Sequence, residues 1–102
     1  MRLHYLVRGY RVLAANWYAR GGELDLVVRR GNRLVFCEVK AKSGVGFGDP
    51  LEMVGADKQR RVVRVAEQWL ARHPDHRRLE VAFEVAAVRG RRVERVAAAL
   101  EA

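Results

Sequence analysis

The chain has little cysteine, little proline and little lysine. Its 102 residues include one cysteine, Cys37, two prolines, and three lysines among twenty basic residues, and no acidic residue precedes Glu23. A lone cysteine excludes an internal disulfide, a C-x-x-C redox pair and a cysteine-based zinc cluster. Cys37 lies between apolar neighbours in LVFCEVK, which predicts a buried small hydrophobe rather than a nucleophile. No apolar run approaches the roughly 20 residues of a membrane span. The N-terminus MRLHYLVRGYRV has neither the uninterrupted apolar segment nor the cleavage site of a signal peptide, so a cytoplasmic protein without a membrane partner is expected. There is no internal repeat, low-complexity tract or linker, and residues 1–102 are expected to form one domain.

What is abundant is arginine. Twenty Lys or Arg stand against twelve Asp or Glu, giving a net charge of +8 and a pI near 10.8. Half of the residues are hydrophobic, enough for one core, which argues against intrinsic disorder. Arginine favours bidentate contacts to phosphate or carboxylate, although a GC-rich coding sequence would produce the same bias. The balance suggests a polyanionic partner.

The punctuation of the chain outlines its elements. YRVLAANWYA, residues 10–19, is aromatic and β-branched and ends at Gly21-Gly22, which predicts a strand and a turn. Residues 23–29 alternate, with Leu24, Leu26 and Val28 predicted on one face and Glu23, Asp25, Val27 and Arg29 on the other. Residues 34–40 alternate again, with Leu34, Phe36, Glu38 and Lys40 sharing a side. Gly31-Asn32 between the runs predicts a tight hairpin in which opposed residue numbers sum to 63. Asp25 then faces Glu38, and Glu23 faces Lys40, so four ionisable side chains are expected on one face. The glycine-rich SGVGFGDP predicts a loop, and residues 56–72 a helix with Val62, Val65, Ala66, Trp69 and Leu70 on its apolar side. LEVAFEVAAV, residues 79–88, reads as a strand; RRVERVAAALEA fits either a last strand or a short helix.

Two carboxylates opposed across a hairpin repel each other, and a divalent cation would reverse the sign. Mg²⁺ takes oxygen ligands and usually only one or two protein carboxylates. Asp25 and Glu38 fit that role, the carbonyl of Val39 is placed to contribute, and Lys40 on the same face could assist a water and offset phosphate charge. From spacing alone, a surface cluster with Lys40 paired to Glu23 or Glu38 explains the residues as well. Glu23 is either a supporting acid or such a salt-bridge partner. Lys58, Arg60, Arg61 and Arg64 put four cations near a helix N-terminus, against the macrodipole, which leaves a phosphate-gripping role and a merely solvated face both open.

An acid, twelve intervening residues and Glu38-Val39-Lys40 at a strand end resemble the D…(D/E)xK motif of restriction-endonuclease-like nucleases. The chain more closely resembles the YraN family, small bacterial proteins similar to archaeal Holliday-junction resolvases. The resemblance rests on GYRVLAANW (9–17), RGGELDLVV (20–28), LVFCEVKAKS (34–43), FGDPLEMV (47–54), KQRRV (58–62) and FEVAAV (83–88). It implies an α/β fold with a mixed, mainly antiparallel sheet flanked by helices. It implies catalytic Asp25, Glu38 and Lys40, with Mg²⁺ or Mn²⁺ as cofactor, and a polar Gln59 directed at the site. It also implies an endonuclease acting on DNA, branched DNA included, and therefore a symmetric homodimer. Family members generally carry a longer N-terminal helix with a G-x-x-G-E type segment, so the N-terminal helix is expected to be truncated. Either the coding sequence starts further upstream or this member has lost one acid. The alternative function is a non-catalytic nucleic-acid-binding module of the same fold; a protein partner with an acidic surface is a third reading.

Overall fold

The structure, a computed structural model, describes residues 2–41, 56–89 and 92–98. The elements are α1 (Arg2–Leu6), β1 (Arg11–Ala19), β2 (Gly22–Arg30), β3 (Arg33–Ala41), α2 (Ala56–Arg72), a 3₁₀ turn at Pro74–His76, β4 (Glu80–Arg89) and β5 (Arg92–Ala98). The strands form one sheet in the order β1-β2-β3-β4-β5. β3 and β4 pair in parallel and every other neighbour antiparallel, so the sheet is mixed and mainly antiparallel, as predicted. The C-terminal run adopts the strand alternative. The predicted SGVGFGDP loop and the FGDPLEMV segment lie outside the described residues.

The β2–β3 hairpin has the predicted register, from Arg30↔Arg33 to Leu26↔Cys37. Gly31 occupies the first loop position at φ +57 while Asn32 keeps a negative φ, the arrangement of a type II′ turn. This turn suits the right-handed twist of the strands and fixes which residues of β3 reach the far end of β2.

Two apolar clusters cover the two faces of the sheet. On the α2 face, Leu24, Val27, Leu34 and Phe36 pack against Val62, Val65, Ala66 and Trp69, the predicted apolar side of the helix. On the other face, Tyr5 of α1 packs with Tyr10, Leu26, Val28, Val35 and Cys37. Cys37 is buried, as its neighbours predict. His73 and His76 are half-buried against Trp69: the His73 ring stacks at 4.0 Å and the His76 ring meets it edge-on at 5.4 Å. The large indole face at the end of α2 covers part of both imidazoles.

One alternation departs from expectation. Leu24 belongs to the α2 face whereas Leu26 and Val28 belong to the other. β1 makes the same change, with Ala15 on the α1 face and Trp17 on the α2 face. The register Ala15↔Leu26 and Trp17↔Leu24 leaves Asn16 and Asp25 at the switch in each strand. Asn16 has φ +50, a left-handed conformation that asparagine tolerates better than most residues, and its reversal lets both strands turn over together.

Candidate functional site

The site lies where β2 and β3 leave their paired register. Beyond Leu26↔Cys37, the Asp25 carboxylate accepts a 2.8 Å hydrogen bond from the Val39 N–H. A side-chain acceptor thus meets an amide just beyond the end of the β2–β3 ladder, which orients the carboxylate against β3. Asp25 lines a cavity of about 320 Å³ with Arg2, Ala15, Asn16, Leu26 and Val39.

Glu38 comes to the same seam from the α2 side. Its side chain is only 7% exposed, and its Oε1 meets the Lys58 ammonium at 2.6 Å and the Lys40 ammonium at 3.9 Å. Burial pushes the Glu38 carboxyl above its ordinary range, and the negative charge of Asp25 pushes the same way; Lys58 and Lys40 oppose both. Lys58 is itself held more firmly protonated, first by its bond to Glu38. Lys40 shifts down, because it shares hydrogen bonding with Lys58 and is partly desolvated beside a second cation. One carboxylate therefore serves two ammonium groups.

The four charges predicted on one face are consequently divided. Glu38 and Lys40 gather under Lys58, while Asp25 sits at the seam among residues of the other face, because the switch at Asn16 and Asp25 breaks the alternation. Glu23 pairs across β1–β2 with Tyr18, whose hydroxyl is held protonated by its hydrogen bond to Glu23. No ion pair joins Glu23 to Lys40 among the described residues. On α2, Arg60 pairs with Asp57, an acid in the first turn that offsets part of the dipole conflict. Arg61 and Arg64 are exposed, and Gln59 is half-buried next to Lys58. Trp17 packs beside the α2-face core, with the Arg72 guanidinium 5.3 Å from its ring, whereas Tyr18 is exposed.

A second acid escaped the sequence reading. Glu84 of β4 is buried and accepts from the Tyr5 hydroxyl at 2.8 Å, from Arg33 Nη2 at 3.0 Å and from Arg95 Nε at 3.0 Å. The single acid within the apolar stretch FEVAAV is the signal that could have found it. Its partners come from α1, β3 and β5, so it ties the short N-terminal helix to the sheet. Among the described residues, no group of three or more Asp, Glu, His or Cys is arranged to hold a metal.

Comparison with known proteins follows the same residues. The family described as "Uncharacterised protein family UPF0102" matches residues 2–88. A UPF0102 protein of Frankia alni is 48% identical over 85 residues, covering 83% of this chain and 70% of its own length. One from Acidothermus cellulolyticus is 50% identical over 70 residues, covering 69% of this chain and 53% of the relative. A third, from Acinetobacter baumannii, is 38% identical over 78 residues, covering 76% and 59%.

Proposed function

Because the chain belongs to the YraN family, Uncharacterised protein family UPF0102, we propose a function that rests on its site geometry: a divalent-metal-dependent endonuclease that hydrolyses phosphodiester bonds of DNA. The fold would be restriction-endonuclease-like. The observation that carries this reading is the nearly buried Glu38 carboxylate, set against two lysines and within the field of Asp25 at the strand end. A carboxylate desolvated at this seam and within the field of a second acid needs positive charge, and here Lys58 supplies it.

The donor set suits Mg²⁺ or Mn²⁺, which accept one or two protein carboxylates and keep several waters. Asp25, Glu38 and the Val39 carbonyl would hold the ion, which when bound would acidify a water and offset phosphate charge. The chain's own residues do the remaining work. The Val39 N–H fixes the Asp25 carboxylate. Lys40, which gives up its proton more readily than an ordinary lysine because it shares hydrogen bonding with Lys58, is placed to orient the attacking water and offset phosphate charge. Lys58, Arg61 and Arg64 present cations from one helix to flanking phosphates, with Arg60 joining when it leaves Asp57. Cutting both strands of branched DNA would need two such centres, hence a symmetric dimer.

One observation favours the non-catalytic reading. Lys58 already satisfies Glu38, so the fold needs no bound ion to balance that carboxylate. Purified protein should therefore be incubated with linear, single-stranded and four-way-junction DNA in Mg²⁺, Mn²⁺ or EDTA. The nuclease reading expects metal-dependent cleavage that Asp25→Ala abolishes. Binding without cleavage, unchanged by Asp25→Ala, would establish the binding module instead.

A further inference from the structure

At the opposite end of β1 and β2, an open cavity of about 340 Å³ is lined by Gly9, Arg11, Arg29, Arg30 and Gly31. Arg11 and Arg29 are direct cross-strand partners, a like-charge pairing that destabilises a sheet. Arg30 also lines the cavity. None of the three makes an ion pair among the described residues, whereas Arg33, three positions beyond Arg30, is neutralised by Glu84. Two of the arginines are nevertheless fixed in place. Arg29 Nε donates to the Gly31 carbonyl at 2.8 Å, and Arg30 Nη1 donates to the Arg8 carbonyl at 3.1 Å while its guanidinium lies 4.8 Å from the Tyr10 ring centroid. Such anchoring lowers the entropy lost when a ligand binds. Gly9 and Gly31, at φ +86 and +57, leave bare backbone in the wall, which allows an oxyanion to approach.

We infer that this arginine cavity is a second phosphate site, which holds a backbone phosphate of the nucleic acid away from the Asp25–Glu38 centre. The inference deepens the nuclease reading and rests on it. A phosphate removes the repulsion between Arg11 and Arg29 and accepts bidentate bonds that guanidinium groups supply well. Its place relative to the acids follows from the strands. Arg29 lies four residues along β2 from Asp25, and Arg11 four along β1 from Ala15, about 13 Å at the usual strand rise. A strand lying along β1–β2 would meet both cavities.

The test is DNA binding by the full chain in EDTA, where no cutting intervenes, measured across a NaCl series. The wild type is compared with Arg11→Ala, with Arg11→Ala/Arg29→Ala, and with a charge-matched control, Arg72→Ala/Arg92→Ala. Arg11 makes no ion pair among the described residues, so its replacement leaves the fold intact and keeps the result interpretable. The double variant is expected to bind about tenfold more weakly and to show a log–log salt slope shallower by about 0.9, one phosphate contact on B-DNA. The control is expected to retain the wild-type slope. An unchanged slope in the double variant, or the same loss in the control, overturns the inference while leaving the cleavage result untouched. If inorganic phosphate raises the wild-type Tm but not that of the variant, and the DNA slope is unaffected, the cavity takes a free phosphate and the nucleic-acid assignment fails. Conversely, a lost contact in a protein that never cuts DNA in Mg²⁺ upholds this cavity and removes only the catalytic reading.

Discussion

Glu84 is held between two arginines and a tyrosine hydroxyl at a buried position of β4. Removing one partner of such a network strands the others, but Arg33 and Arg95 are partly exposed and can rehydrate. Glu84→Ala is therefore expected to lower the unfolding free energy by about 3 kcal/mol in a urea titration, the low end of the range for a broken buried pair. Glu84→Gln, which can keep the Tyr5 bond, is expected to cost less; equal losses would show that charge contributes nothing. On the same face, burial pushes the Cys37 thiol up to about 12 from its ordinary 9.0. Its folded-state value lies above its unfolded one, so its contribution to stability is complete below about pH 9 and is lost as pH rises toward about 12. Native protein at pH 8 should resist a thiol reagent and react only on unfolding. Rapid labelling of the native state would contradict the burial. Cys37 was readable from its apolar neighbours, because burial follows local pattern. Glu84 was not, because its three partners come from distant parts of the chain.

At the scale of elements, the hairpin and α2 were legible for short-range reasons. A two-residue turn sets the register arithmetic, and the spacing of Val62, Val65, Ala66 and Trp69 sets the buried side of the helix. The switch of face at Asn16 and Asp25 was not legible, because strict alternation assumes regular strand dihedrals throughout. Asn16 at φ +50 breaks that assumption and places Asp25 at the seam rather than beside Glu23. Asn16→Gly is expected to be close to neutral in stability, whereas Asn16→Val should cost about 1–2 kcal/mol by forcing a β-branched residue into the left-handed region. Denaturant midpoints of the two variants measure this directly. Equal midpoints would mean that the strands can switch faces without that conformation.

For the whole molecule, the net charge of +8 resolves into different roles. Arg33 and Arg95 neutralise Glu84, Lys40 and Lys58 balance Glu38, and Arg11, Arg29 and Arg30 gather at the far end of the β1–β2 pair. The sequence indicated a polyanion partner and an acidic centre on the hairpin. It did not indicate that Lys58 of α2 would reach that centre, since the contact depends on how the helix packs across the sheet. The proposed function therefore turns on whether a divalent cation can take the place Lys58 holds at Glu38. Calorimetric titration of Mn²⁺ into the wild type, Asp25→Asn and Lys58→Met tests this most directly. The expected result is saturable binding by the wild type, its loss in Asp25→Asn and tighter binding in Lys58→Met. Absence of binding in both the wild type and Lys58→Met would contradict the proposed metal centre.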